Sequence, residues 1–142
     1  MAARTIYLIK RLETEVTSNM VKLLGAYDIT PTQFTILSFV GNIETDLSSA
    51  QLSRRFLMTP QSMNEVIAIL QRKDLLEKKV DPNHKRILRI GLTAKGEEIL
   101  ALCNATMDIF ETQLLEGFNK EDISFYHSFV GKVLEKTKQL NG

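Results

Sequence analysis

Between Thr59 and Leu92 the spacing of apolar residues switches from helical to extended, and few folds accommodate that switch in so short a span. Thr59-Pro60 is a helix start, because the threonine hydroxyl can cap and proline's missing N–H falls where no intrahelical partner exists. Met63, Val66, Ile67 and Leu70 follow at i, i+3, i+4 and i+7, which predicts a helix from about Pro60 to Lys73 with one apolar side. At about 100° per residue the opposite face carries Gln61, Glu65, Ala68 and Arg72, flanked by Ser62 and Asn64. Leu76-Glu77-Lys78-Lys79-Val80 and Ile87-Leu88-Arg89-Ile90-Gly91-Leu92 then read as two strands. Asp81-Pro82 suits the first two positions of a type I turn between them.

Upstream, Leu8, Leu12, Val16, Met20, Leu23 and Leu24 fall mostly at three- and four-residue spacing, predicting an amphipathic helix over Thr5 to Leu24 that Gly25 would end. Thr30-Pro31 repeats the start signal. Phe34, Ile36, Leu37, Phe39 and Val40 cover more than one stripe of the helix that follows, so it should be enclosed on several sides, with Phe34, Leu37 and Val40 in the core. Gly41-Asn42 closes it. A polar loop with Asp46 leads to Ser48 and Ser49, either of which could cap a short helix through Arg55 whose apolar pair is Leu52 and Phe56. A short helix, a tight connection through Leu57-Met58 and a capped helix with a polar outer face make a helix-turn-helix; the hairpin behind it is a wing. The fold class expected is therefore mainly α with a small β-hairpin wing.

A length of 142 residues with 44% hydrophobic and 25% charged residues points to one globular unit with a sizeable core. The single cysteine, Cys103, leaves no internal disulfide or multi-cysteine zinc site, so a cytoplasmic setting is expected; a lone apolar-face cysteine is an ordinary core residue before it is a redox sensor. Lys10, Arg11 and Glu13 stand directly behind a short apolar run at the N-terminus, and no apolar stretch reaches membrane-spanning length, so neither a signal peptide nor a membrane partner is expected. His84 and His127 lie far apart without metal-ligand spacing, and no Walker loop, GxSxG or dinucleotide fingerprint occurs; catalysis, a metal and a cofactor are not expected.

The net charge of +1 hides an uneven distribution. Residues 1–71 carry six Lys/Arg and six Asp/Glu, residues 72–95 eight against three, and residues 96–142 four against eight. A basic stripe confined to one short stretch is the footprint of phosphate contact, although a solvated hairpin would carry the same charges. Major-groove recognition needs a helix that presents hydrogen-bonding side chains near its N-terminus. Gln61 and Asn64 suit adenine, and Arg72 suits guanine or phosphate. The candidate DNA-contacting set is Ser49, Thr59, Gln61, Ser62, Asn64, Glu65 and Arg72, with Lys78, His84, Lys85, Arg86 and Arg89 from the wing. Arg86 at the wing tip suits the narrow, negative minor groove; Lys78, Lys79 and Arg89 lie along the arms, where phosphates would be met.

In these residues the chain resembles the MarR family of transcriptional regulators. Arg86, five variable residues, Leu92-Thr93 and then Gly96 keep the family's spacing. Leu70 to Lys78 looks like its helix-to-wing passage, and Ile29 to Leu37 is similar to the start of its second helix. Three positions depart from the pattern. The acid two residues before the wing arginine, which braces it in the family, is His84 here, with Asp81 three positions further back. Asp74 stands for the usual glycine before the first strand, and Lys78 for an arginine, keeping charge but not the two-pronged geometry.

Beyond the wing, Thr93 can cap a long helix with Leu100, Cys103, Met107, Phe110, Leu114 and Leu115 as apolar positions. Another begins after Asn119, with Ile123, Tyr126, Phe129, Val130, Val133, Leu134 and Leu140. These helices either pack on their own lobe or bury their faces against a second copy. The resemblance implies the latter: a winged helix-turn-helix lobe at 28–93, dimerisation helices at 1–27 and 94–142, and a homodimer on a near-palindromic duplex. It further implies a repressor responsive to a small aromatic or phenolic effector. The rival reading is a winged-helix module used for protein contacts without specific DNA binding.

Overall fold

The computed structural model describes residues 3–42, 47–86 and 88–142, so Asp46 and Ile87 of the sequence reading lie outside the described residues. Among the described residues the order is α1 (Thr5–Leu24), a 3-10 turn (Gly25–Tyr27), α2 (Pro31–Gly41), α3 (Ser49–Arg55), α4 (Pro60–Arg72), β1 (Leu76–Val80), β2 (Leu88–Leu92), α5 (Ala94–Leu114) and α6 (Lys120–Asn141). This is the mainly α winged helix-turn-helix class expected from the periods.

Helix starts follow the caps. The Thr30 hydroxyl accepts from the Gln33 N–H and the Gln33 side chain accepts from the Thr30 N–H, each at 3.1 Å, a reciprocal box that satisfies two otherwise unpaired donors. Ser48, rather than Ser49, does the same for α3 with Gln51, and Asn119 does so for α6 with Asp122. Thr59 caps α4 through the Ser62 N–H at 3.0 Å. Each such cap contributes about 1 kcal/mol.

Two helices stop at glycine as expected, α1 at Leu24 with Gly25 as its C-cap and α2 at Gly41-Asn42, but the left-handed endings fall on other residues. Gly25, the expected end of the first helix, keeps a right-handed conformation, and the chain runs on through the 3-10 turn to Asp28 at φ 57°. Leu57 at φ 52° stops α3 and Asp74 at φ 62° stops α4. In each case the next residue's N–H reaches back to the carbonyl five positions earlier: Ile29 to Leu24 at 3.3 Å, Met58 to Ser53 at 2.9 Å and Leu75 to Leu70 at 2.9 Å. That double-bonded ending requires a left-handed residue, and the apolar residue after it turns inward.

The core forms where Leu24, Ile29, Ile36, Leu37, Val40, Leu52, Met63, Ile67, Leu70, Leu75, Leu76, Ile90, Leu100 and Cys103 cluster. Of the expected trio in α2, Leu37 and Val40 are buried but Phe34 is only half-buried. Ile36 replaces it because Gln33, Ile36, Leu37 and Val40 share the inner face at helical spacing. In the hairpin, antiparallel β1 and β2 set Leu76 opposite Leu92, Lys78 opposite Ile90 and Val80 opposite Leu88. The Ile90 N–H also donates to the Leu47 carbonyl at 2.7 Å, fastening β2 to the segment before α3.

Packing divides the chain into residues 1–107 and residues 108–142. The first unit holds the whole core, which reaches past the winged-helix lobe to Leu24 of α1 and to Leu100 and Cys103 of α5. The second consists of the end of α5 with α6, and α6 buries none of its residues. Among the described residues, no helix is long and apolar enough to cross a membrane.

Candidate nucleic-acid interface

Burial of one side of α4 decides what the other presents. Met63, Ile67 and Leu70 are fully buried, and Gln61, Ser62, Asn64, Glu65 and Arg72 consequently face outward. Four of the five carry hydrogen-bonding groups within the first turns, where a helix entering the major groove meets base edges. Thr59 and Ser62 are partly spent on the cap, since the Thr59 hydroxyl also donates to Ser62 Oγ at 2.9 Å. Ser49 is half-buried as the first residue of α3. At the other end of α3, exposed Arg55 lies with its guanidinium 5.0 Å from the Phe39 ring centre, and Phe39 meets Phe56 edge-on at 5.4 Å.

The wing turn is built by Asp81. Its carbonyl accepts the His84 N–H at 3.2 Å and its Oδ1 accepts the Asn83 N–H at 2.8 Å, so the turn expected from Asp-Pro is closed twice. The Asn83 N–H holds the Asp81 carboxyl below the usual range, burial opposes that shift, and Arg89 reinforces it. Beyond the turn His84, Lys85 and Arg86 are exposed, as is Lys78 on the first arm. Lys79 pairs with Glu77 at 3.2 Å. Arg89, expected as an arm residue meeting phosphate, is engaged inside the lobe instead: its Nε and Nη2 reach Asp81 Oδ2 at 3.0 and 2.9 Å, and its Nη1 donates to Gln51 Oε1 at 3.0 Å. The acid braces an arginine as the family pattern implies, but the braced residue is Arg89, not Arg86.

A polar helix face and a cationic hairpin tip on one lobe match what a duplex presents, an edge-patterned groove beside a charged backbone. Residues 27–87 match the model of the MarR family. That segment carries the MarR-family pattern. The HTH-type transcriptional regulator YsmB of Bacillus subtilis (strain 168), itself described as uncharacterized, is 25% identical over 118 residues, 83% of this chain and 80% of that protein. The S. aureus MepR–DNA complex superposes with a TM-score of 0.83 at 21% identity, covering 95% of this chain and 99% of that one. Wild-type MarR from E. coli in its apo form gives 0.79 at 19%, covering 94% and 99%. At these identities the two structures establish a shared fold.

Just beyond residues 27–87, the Leu92-Thr93…Gly96 spacing has a packing cause. The Thr93 hydroxyl donates to the Asp74 carbonyl at 2.6 Å and accepts from the Gly96 N–H at 2.9 Å, while the Thr93 N–H donates to the Leu75 carbonyl at 3.1 Å. One residue therefore caps α5 and seats it on the end of α4. Lys73 anchors the same end from the other side, donating to the Asp28 carbonyl and, at 3.2 Å, to Gln33 Oε1.

Sequence reasoning placed no role on Gln51 or Lys73. Gln51 carried a signal, the Ser-x-x-Gln spacing of a capping box, whereas the partners of Lys73 lie 40 and 45 residues away and leave no local trace. Cys103 is fully buried and burial pushes its thiol pKa up, so it behaves as a small core residue. The first unit also has a concave surface of about 430 Å³ lined by Val40, Gly41, Lys79, Gly91, Leu92, Glu97, Leu100, Ala101 and Asn104.

Proposed function

We propose that this MarR-family transcriptional regulator binds double-stranded DNA with sequence preference, laying α4 in the major groove and the hairpin tip against the neighbouring minor groove. The observation that carries the reading is the pairing, on one lobe, of an exposed Gln61–Asn64–Arg72 face with exposed His84, Lys85 and Arg86. Gln61, Asn64 and Arg72 contact bases, with Glu65 available to accept from cytosine. Ser49, Thr59, Ser62, Lys78 and Lys85 contact the backbone. MepR, which shares the fold, has been solved with DNA, and YsmB bears a regulator's name; both support the reading.

The acting species is a homodimer in which residues 28–93 form the DNA-binding lobe and residues 1–27 and 94–142 the dimerisation helices. Unspent apolar surface supports this. Ile6, Leu8 and Leu12 of α1 remain 67, 53 and 48% exposed, and Phe125, Phe129 and Leu140 of α6 remain 69, 52 and 80% exposed, more than a monomer in water would keep uncovered. Two lobes about 34 Å apart then face successive major grooves and require a near-palindromic site. Such a dimer, working in the cytoplasm where it meets DNA, represses by occupying its operator.

A small aromatic or phenolic effector regulates it by binding the two lobe arrangements unequally. Equal operator affinity with and without a panel of phenolic acids would remove the effector from the account. Selection from random duplexes tests the DNA reading: the expected result is an enriched inverted repeat with half-sites one helical turn apart, and no enrichment would contradict it.

A further inference from the structure

The wing and the helix-turn-helix meet at one cluster of side chains. Gln51 Oε1 accepts from the Ser48 N–H at 2.9 Å, the Ser48 hydroxyl at 3.1 Å and Arg89 Nη1 at 3.0 Å. Arg89 spends its other face on Asp81 Oδ2, and Asp81, 5% exposed, has its second oxygen on the Asn83 N–H. One residue along, the Ile90 N–H joins the Leu47 carbonyl. Backbone and side chain thus tie β2 to the start of α3 at adjacent positions. The outer part of the hairpin needs such a tie: Leu76 and Ile90 anchor its base in the core, but Lys78, Val80 and Leu88 are exposed, and a two-stranded ribbon without packing is marginal alone.

We propose that Asp81, Arg89 and Gln51 are positioning residues for DNA recognition, setting the hairpin against α3 so that Arg86 is delivered to the duplex. The proposal rests on the DNA-binding reading above. It explains an aspartate in the wing, where charge alone would oppose phosphate: Asp81 and Gln51 offer acceptors on two different elements that only a planar, multi-donor guanidinium bridges at once. It also assigns the contribution of Arg89 to geometry rather than to a phosphate contact.

The experiment is duplex binding across a salt series with the full-length chain and its selected site, comparing wild type, Asp81→Asn, Arg89→Lys and Arg86→Ala, with each of the first two variants also made in the Arg86→Ala background. Asp81→Asn should bind about tenfold more weakly, the size of a lost charge-assisted bond, and with a salt slope shallower by about one. Arg89→Lys, which keeps the charge and loses the fork, should weaken binding similarly, and neither change should matter once Arg86 is gone. Tighter binding by Asp81→Asn, wild-type binding by Arg89→Lys, or full effects in the Arg86→Ala background would each overturn the proposal. Arg89→Lys decides the matter if Asp81→Asn melts at the assay temperature. A wild type that binds no duplex at low salt refutes the DNA reading and this proposal together; a wild type that binds while Asp81→Asn binds tighter refutes this proposal alone.

Discussion

A Cβ on Gly96 would lie 2.1 Å from the carbonyl oxygen of Leu75. Backbone, not a flexible side chain, fills that space, so the first turn of α5 can reach the end of α4 only with glycine there. Gly96→Ala should therefore destabilise the lobe by about 1–3 kcal/mol, the usual cost of overpacking. Urea denaturation at fixed protein concentration measures it, and an unchanged midpoint would mean that the contact is not needed.

Leu57 is 87% exposed in a left-handed conformation, so its side chain gains little and its backbone is strained. Leu57→Gly should stabilise the protein by about 0.5–1 kcal/mol, the left-handed penalty less the extra unfolded-state freedom of glycine. The same denaturation assay checks the sign, and a loss of stability would assign Leu57 a contact among its neighbours.

Asp81 gives a pH signature. Its folded carboxyl titrates below the ordinary value of about 3.9, chiefly through the Asn83 N–H and further through Arg89. The stabilisation is complete above the unfolded value and is lost as pH falls through the folded one. Wild type should exceed Asp81→Asn in stability by a constant margin from pH 7 to 5, and the margin should shrink below about pH 4. A margin that grew on acidification would contradict the assignment.

Base readers and backbone contacts separate by what their loss changes. Gln61→Ala should relax preference at one base pair by about 1–3 kcal/mol and leave the salt slope unchanged. Lys78→Ala should weaken all duplexes alike and make the slope shallower by about one. Competition binding with single-base variants of the selected site distinguishes the two, and an unaltered preference in Gln61→Ala would remove that residue from the readers.

The elements were legible where a local signal encodes them. Thr30-Pro31 and Thr59-Pro60 marked two helix starts, and the period change after Leu70 marked the hairpin. The stops at Gly25, Gly41-Asn42 and Arg55 were legible too, but the left-handed residues were not, because Asp28, Leu57 and Asp74 occupy positions that sequence reasoning reserves for glycine. The wing brace was half legible. Asp81 was recognised as the nearest acid, but its partner is set by the hairpin register, which brings Arg89 beside Asp81, and by the Leu47–Ile90 bridge, which brings Gln51 within reach. No spacing rule along the chain carries that information.

Sedimentation of the purified protein alone and with its selected duplex at low salt puts the central claim to its most direct test. A dimer that binds as two chains per duplex, with affinity falling steeply as salt rises, is the expected outcome. A strictly monomeric chain that leaves the duplex sedimenting freely would contradict it.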